Sequence, residues 1–267
     1  MHAVMAQLLY VFVTNIERLD TRAAGPAVEP TGAGAFTRFA LEYMAQHRDR
    51  KIMLLQAGCA TAGSDLDLGA IKSAAPDVAI CFLDDDVPAV RYAIADRPDL
   101  DAATLGDLRS VPLAQRAFDI VHCAMLLPRI RHAELVLDRL VSAIRPGGLL
   151  MLSTTDGQTA AGFLDKRLPH FMRSAAWRVS NPGAPGPFPA VYEPIASASG
   201  LHAFMIRHGL AVAHRETRST ANAEAVVPTG HGARKIVASL SRGRLGDDHD
   251  ELLYVIRKPQ DADLRVL

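Results

Sequence analysis

The sequence of 267 residues is poor in cysteine, in aromatic residues and in net charge. It contains three cysteines, one tryptophan and 29 basic residues against 29 acidic ones. Three cysteines cannot build a disulfide framework, and the separation of Cys59, Cys81 and Cys123 does not match a zinc-ligand pair. We therefore expect a reduced, cytoplasmic protein without a metal site.

The charge balance and the shortness of the apolar runs argue against a nucleic-acid-binding, membrane-spanning or secreted protein. A net charge of zero gives no chain-wide positive field, so neither nucleic acid nor an anionic membrane is expected as a partner. Residues 7–13 are the most apolar run near the N-terminus, but a membrane span needs about 20 such residues. No basic segment or small-residue cleavage site accompanies the run, so no signal peptide is expected. A small molecule is the expected substrate.

Short apolar runs alternate with amphipathic segments from residue 36 onward, which is typical of βαβ units and a parallel sheet. Apolar runs predict strands at residues 52–55, 78–83, 118–123 and 149–152, and residues 104–107 predict a further strand that ends in an acid. Two later strands, at residues 210–217 and 251–257, suit an antiparallel pair at a sheet edge. The predicted fold class is therefore α/β, a Rossmann-like open sheet, mostly parallel, with an antiparallel edge strand and helices on both faces.

The segments around these strands predict the domain organisation. Residues 1–35 are expected to form an N-terminal helical extension with a linker, residues 36–258 the α/β domain, and residues 259–267 a tail. Within the domain, residues 156–194 are expected to form a substrate lid, because they combine helical spacing with a Pro/Gly-rich loop. Residues 219–250 form an excursion between the last two strands. The N-terminal apolar helices can pack on the domain, cover the site or provide a homodimer contact.

The carboxyl ends of the first three strands carry groups suited to an adenosine-bearing ligand, and ligands of open α/β sheets bind outside these ends. Residues 58–63, GCATAG, let a ligand approach the backbone closely. Asp84 can accept hydrogen bonds from both hydroxyls of a ribose, and Asp107, with the backbone of Leu108, can bind an adenine amino group. Each feature also has an explanation that involves no ligand. The small residues at 58–63 can serve helix packing, Asp84 can occupy a favourable position at a helix N-terminus, and Asp107 can lie in a solvent-exposed turn.

These motifs resemble those of the class I S-adenosylmethionine-dependent methyltransferases over residues 36–258. The opening motif of that family aligns with residues 55–62, LQAGCATA, and its next two acids fall on Asp84 and Asp107. The most specific similarity is the run FDIVHC at residues 118–123, followed by a helix and by RPGGLL. The resemblance implies transfer of a methyl group from S-adenosylmethionine to an oxygen, nitrogen or carbon atom of a small molecule, with S-adenosylhomocysteine as the product.

The resemblance also implies a set of site residues. The expected cofactor contacts are Gln56, Gly58, Cys59, Ala60, Asp84, Asp85, Asp107, Leu108, His122 and Cys123. An oxygen or carbon acceptor would also need a general base. The candidates for that role are His122, His170, Tyr192 and His231.

The sequence departs from the family pattern around the cofactor turn. Gln56 replaces the first acid, and Ala60 and Ala62 replace glycines, so the ammonium of the cofactor loses a negative charge and its methionine part loses space. Pro128-Arg129 replaces a Glu-His pair that is common in the family. The alternative function is therefore a methyltransferase-like protein that transfers no methyl group, either a cofactor-binding cyclase or an interaction protein.

A nicotinamide-dependent reductase is a third interpretation, since it too uses a small-residue turn and an acid after the second strand. Its short-chain form needs a Tyr-x-x-x-Lys pair, whereas the fourth residue after Tyr192 is Ala196. The Arg-Pro-Gly-Gly turn before the fifth strand also favours the methyltransferase resemblance.

Overall fold

The part of the chain that the structure describes is built around one seven-stranded sheet. The computed structural model describes residues 34–58, 66–180, 182–183, 185–218, 245 and 249–260. The predicted N-terminal extension, most of the excursion at 219–250 and most of the tail lie outside these residues. The strands are β1 (Met53–Ala57), β2 (Ala79–Asp84), β3 (Ala102–Leu105), β4 (Phe118–Ala124), β5 (Ile144–Thr155), β6 (Ala211–Arg218) and β7 (Glu251–Arg257).

Helices alternate with strands up to β5 in the described residues, except that β4 follows β3 with no helix between them. They are α1 (Ala35–Gln46), α2 (Leu68–Ala74), α3 (Pro88–Ile94), α4 (Ala133–Ala143), α5 (Ala160–Arg167), α6 (His170–Ser180) and α7 (Ala198–Arg207). Among these helices, none combines the length and the apolar character that a membrane crossing requires.

The strand order of the sheet is β3-β2-β1-β4-β5-β7-β6. The first five strands pair in parallel, and β7 runs antiparallel to both of its neighbours, β5 and β6. The predicted Rossmann-like sheet, mostly parallel with an antiparallel edge, is therefore confirmed. Because the order reverses between β1 and β4, the carboxyl ends of these two strands border the crevice where ligands of such sheets bind.

Both faces of the central strands are covered, which explains why their sequences are continuous apolar runs. On one face, Leu55 and Val121 pack in a core with Leu137 of α4 and Phe204 of α7. On the opposite face, Leu54 and its neighbours pack against α1 and α2. The helices thus fix the sheet from both sides, and the carboxyl edge of the strands is left for the site.

The helical spacing at residues 163–177 predicts a single helix, whereas the structure has two helices there, α5 and α6. The break falls at Leu168-Pro169. Proline lacks a backbone N–H and disfavours helical geometry in the residue before it. Leu168 accordingly has an extended ψ of 131°.

Proline is favoured in the first turn of a helix, so the sequence predicts a helix start at Pro194, but α7 begins four residues later, at Ala198. The helix starts where Ser197 provides an N-cap, with its hydroxyl accepting the backbone N–H of Gly200 at 3.1 Å. The hydroxyl of Ser197 also donates to the carbonyl of Pro194 at 2.6 Å, which holds the preceding residues in a turn.

Asp119 joins three segments at the amino ends of the central strands. This side chain is fully buried. Its carboxylate accepts the backbone N–H of Met53 at 2.9 Å, the guanidinium of Arg145 at 2.7 Å and the hydroxyl of Tyr43 at 3.3 Å. Arg50 forms a further ion pair with it. The acid of the FDIVHC run therefore stabilises the fold at the edge of the sheet opposite to the ligand crevice.

We predict that Asp119→Asn lowers the free energy of unfolding by about 3 kcal/mol, because it removes the buried charge that two arginines share. Urea denaturation at neutral pH measures the change. Glu134→Gln is the control, since Glu134 and Arg207 form an exposed ion pair at 2.6 Å and such pairs contribute at most about 1 kcal/mol. Equal losses in the two variants would contradict this role of Asp119.

Candidate functional site

A cleft of about 370 Å³ lies at the carboxyl ends of β2 and β3, beside the segment that follows β4. Its wall is built largely of charged side chains from these three places. They include Asp85, Asp107, Arg109, Arg129 and Arg131, together with Leu108. The structure thus brings several of the predicted cofactor contacts to one edge, as parallel strands with adjacent carboxyl ends require.

The central feature of this edge is a buried ion pair between Asp84 and Arg129. Asp84 is 0% exposed, and the Nη2 atom of Arg129 lies 2.5 and 2.6 Å from its two carboxylate oxygens. The same nitrogen donates to the carbonyl oxygen of Gly58 at 3.2 Å. The ring of Phe188 lies 4.4 Å from the guanidinium carbon. A guanidinium therefore binds the carboxylate that the family resemblance assigns to a ribose.

Arg129 is not fully satisfied by these contacts. Its Nε and Nη1 atoms are buried and have no hydrogen-bond partner among the described residues. Leaving a buried donor without an acceptor costs about 1–3 kcal/mol, and more for a charged group. Unpaired donors of this kind are rare in folded proteins and mark a place where a ligand acceptor would be favourable.

The pKa values of the acids at the strand ends are shifted in different directions. Burial raises the pKa of Asp84, and the charge of Arg129 and its hydrogen bond oppose that shift. Burial also raises the pKa of Asp85, whose carboxylate accepts the backbone N–H of Leu108. Asp107 behaves differently, because hydrogen bonds from Arg109 lower its pKa to about 2. Asp107 is therefore ionised, and its two oxygens lie 2.7 and 2.8 Å from the Nε and Nη2 atoms of Arg109.

Gln56 lies at the end of β1, where the family has an acid, and is 2% exposed. Its amide oxygen accepts a hydrogen bond from Nη2 of Arg97 at 2.9 Å. Arg97 in turn binds both oxygens of Asp99. The position that would attract an ammonium group in the family is thus a neutral amide in contact with a guanidinium.

Gly58 is required at the end of β1. Its φ is +77°, and an added Cβ would lie 2.6 Å from the Cβ of Leu126. Its N–H donates to the carbonyl of Leu83 at 3.1 Å, which ties the turn to β2. Only glycine combines this backbone with this close approach. Cys59 and Ala60, the next predicted contacts, lie outside the described residues.

Two of the catalytic candidates are enclosed on opposite faces of the sheet. His122 is buried, its ring lies 5.5 Å from that of Phe36, and burial lowers its pKa to about 4. Tyr192 belongs to the core of the other face, and its hydroxyl donates to Asp165 at 2.8 Å. Burial raises the pKa of Tyr192 well above its ordinary value. At neutral pH both side chains are uncharged, and Tyr192 keeps its proton.

The remaining candidates do not join these two. His170 is exposed at the first position of α6, and its Nδ1 atom lies 3.3 Å from the hydroxyl of Ser174. His231 lies outside the described residues. Cys123, a predicted cofactor contact, is fully buried in the core of the sheet. The described candidates therefore form no constellation for acid–base catalysis.

Sequence reasoning noted Arg129 as a departure from the family but gave it no role. The available signal was a single charge within the otherwise apolar run at residues 124–130, AMLLPRI. A charged residue in such a run is buried only when it is paired. The roles of Arg97 and Phe188 had no comparable signal, because both depend on contacts between distant parts of the chain.

No protein-family model matches the chain, and no curated protein is significantly similar to it in sequence. Its sheet order, with antiparallel β7 between β5 and β6, is that of the Rossmann-like methyltransferases. The chain has the class I methyltransferase fold. This assignment rests on the order and direction of the strands.

Solved structures of this fold overlap with most of the chain. An S-adenosylmethionine-dependent methyltransferase from Mesorhizobium loti is 18% identical over 81% of this chain and 97% of its own, with a TM-score of 0.46. The cyclase SpnF is 17% identical over 94% of both chains, with a TM-score of 0.44. A protein that converts a disulfide bond into a thioacetal group during echinomycin biosynthesis is 17% identical over 85% of this chain and 84% of its own, with a TM-score of 0.46. Similarity at this level assigns no activity.

The hydrogen-bonding groups at this edge can be compared with those that S-adenosylmethionine would need. Asp84 and Asp107 place carboxylates at successive strand ends, whereas the space beside the Cα of Gly58 is filled by Leu126. The orphaned nitrogen atoms of Arg129 offer donors at the same edge. A ribose at Asp84 would, however, have to displace Nη2 of Arg129 from both carboxylate oxygens.

We predict that Arg129→Met destabilises the protein more at pH 7.5 than at pH 5. Without the guanidinium, burial raises the folded-state pKa of Asp84 further above its unfolded value of about 3.9. The folded state then binds more protons than the unfolded state between these two values, so stability falls as the pH rises through that window. At pH 7.5 the loss should be about 3–5 kcal/mol, measured by urea denaturation at both pH values.

Arg109→Met is the matched control, because Arg109 pairs with an exposed carboxylate of the same cleft. It should leave the stability unchanged at both pH values. A loss in Arg129→Met that does not depend on pH would contradict the assignment of Asp84 as its charged partner.

Proposed function

We propose that the protein transfers a methyl group from S-adenosylmethionine to a small-molecule acceptor. The observation that carries the proposal is the pair of carboxylates at the ends of β2 and β3, placed near Gly58 at the end of β1. Asp84 lies one strand from Gly58, and Asp107 follows the next strand outward. This spacing suits the ribose and the adenine of one adenosine, with the amino-acid tail at Gly58.

The cofactor would supply an electrophilic methyl group, so the protein mainly has to orient the acceptor and exclude water. Residues 156–194 suit a substrate lid. Trp177 and Phe188 from this segment pack with Phe82 of β2, Val90 of α3 and Ala124 at the end of β4. Tyr192 keeps its proton at neutral pH, and His122 is a weak base that is enclosed in the core, so we propose an acceptor whose nucleophile needs no deprotonation by either residue.

The ion pair of Asp84 with Arg129 favours a second candidate, a methyltransferase-like protein that transfers no methyl group. Breaking a buried ion pair without replacement costs about 3–5 kcal/mol. A micromolar ligand binds with about 8 kcal/mol, so an uncompensated loss of that size weakens its Kd to about 0.2–5 mM. Methyl transfer requires that the bound cofactor provides new partners for both Asp84 and Arg129. If it does not, the second candidate is favoured.

We predict that the wild-type protein binds S-adenosylhomocysteine with a micromolar Kd in isothermal titration calorimetry. Asp107→Ala should weaken binding about tenfold, because it removes one hydrogen-bond acceptor for the adenine. Asp77→Ala is the control, since Asp77 is exposed just before the amino end of β2. It should bind as the wild type does.

A positive calorimetric result should be followed by incubation with methyl-labelled S-adenosylmethionine and a panel of hydroxylated, amino and thiol small molecules. Mass spectrometry then detects the methylated product. Binding without transfer, or no binding at millimolar concentration, would favour the second candidate.

A further inference from the structure

We infer that Arg129 selects ligands that carry a carboxylate, and that this carboxylate takes the place of Asp84 as its partner when the cleft is filled. The inference rests on the proposed function and adds a chemical selectivity to it. Three observations carry it: the incomplete pairing of Arg129, its position next to Gly58, and the replacement of the first family acid by Gln56.

The pairing of Arg129 is incomplete when compared with other arginine–aspartate pairs near the same edge. Arg97, Arg109 and Arg91 each bind a carboxylate through two nitrogen atoms, Nε and Nη2. This side-on geometry is the one in which a guanidinium fork matches a carboxylate. Arg129 reaches both oxygens of Asp84 through Nη2 alone.

The donors of Arg129 that remain unpaired are also out of reach of water. Its side chain is 6% exposed, and Nε and Nη1 have no acceptor among the described residues. Phe188 lies against the guanidinium at 4.4 Å. A ligand carboxylate that binds side-on would therefore gain two hydrogen bonds, whereas Asp84 offers oxygens to one nitrogen only.

The guanidinium stands where the amino-acid tail of the proposed cofactor would lie. Nη2 donates to the carbonyl of Gly58, the residue that directly follows β1. Gln56, which replaces the acid expected to attract an ammonium group, accepts a hydrogen bond from Arg97 instead. This end of the site therefore favours the negative group of an amino-acid tail over its positive group.

The two buried charges set the selectivity. A ligand that brings only hydroxyls satisfies Asp84 but leaves the guanidinium of Arg129 buried without a partner, and such an uncompensated charge is strongly unfavourable. A ligand with both a ribose and a carboxylate gives each charge a new partner. A ligand that has the ribose but lacks the carboxylate should therefore bind far more weakly than a ligand that has both groups.

The test compares three ligands on the wild-type protein by calorimetry: S-adenosylhomocysteine, its decarboxylated analogue and its deaminated analogue. Removing the carboxylate should weaken binding about 100-fold, since it costs a charge-assisted, bidentate pair. Removing the amino group should change the Kd by less than about threefold, because Gln56 brings no negative charge.

Arg129→Met should abolish the preference for the carboxylate, so that S-adenosylhomocysteine and its decarboxylated analogue bind within about threefold of each other. Arg129→Lys, which keeps the charge but loses the fork, should retain a preference of about tenfold. Arg131→Met is the matched control, because Arg131 lines the same cleft and is exposed. It should keep the full discrimination, and circular dichroism verifies that each variant is folded.

The outcomes separate the inference from the proposed function. If the wild type binds S-adenosylhomocysteine and its decarboxylated analogue equally well, the inference is wrong and the proposed function stands. If the wild type binds none of the three ligands at millimolar concentration, both are wrong. The ligand series on the wild type decides between these outcomes even if Arg129→Met does not fold.

Discussion

The buried ion pair between Asp84 and Arg129 is the constraint on which the ligand edge of this protein depends. It connects the end of β2 with the segment after β4, and Arg129 also binds the carbonyl of Gly58 at the end of β1. The order of the strands in the sheet reverses between β1 and β4, so the pair lies at the crevice where ligands of such sheets bind. Because neither charge is tolerated alone in the interior, nothing can enter next to Asp84 without giving Arg129 another partner. The pair thus both stabilises the edge and restricts what binds there.

The lid segment depends on the same pair through a chain of contacts. Phe188 lies on the guanidinium of Arg129, and its carbonyl accepts a hydrogen bond from Arg173 at 2.6 Å. Arg173 forms an ion pair with Asp165, which also accepts the hydroxyl of Tyr192. A movement of Arg129 would therefore disturb contacts on both helices of the segment, α5 and α6.

The sequence was sufficient to predict the sheet, because continuous apolar runs that are separated by amphipathic helices are compatible with few folds other than a mostly parallel open sheet. It also located Asp84 and Asp107 at strand ends, since position in a βαβ unit determines where a carboxylate emerges. It did not predict the partner of Asp84, because the reach of a long arginine side chain depends on the packing of segments 45 residues apart. The break before Pro169 was available from the sequence, whereas the burial of His122 under α1 required the tertiary structure.

Trp177 gives the arrangement at the strand ends an optical consequence. It is the single tryptophan of the sequence, and its ring meets that of Phe188 edge to face at 5.6 Å. Phe188 contacts both this indole and the guanidinium of Arg129. The fluorescence of the unlabelled protein is therefore expected to change when Arg129 and Phe188 move, which would allow binding to be followed at protein concentrations below those that calorimetry requires.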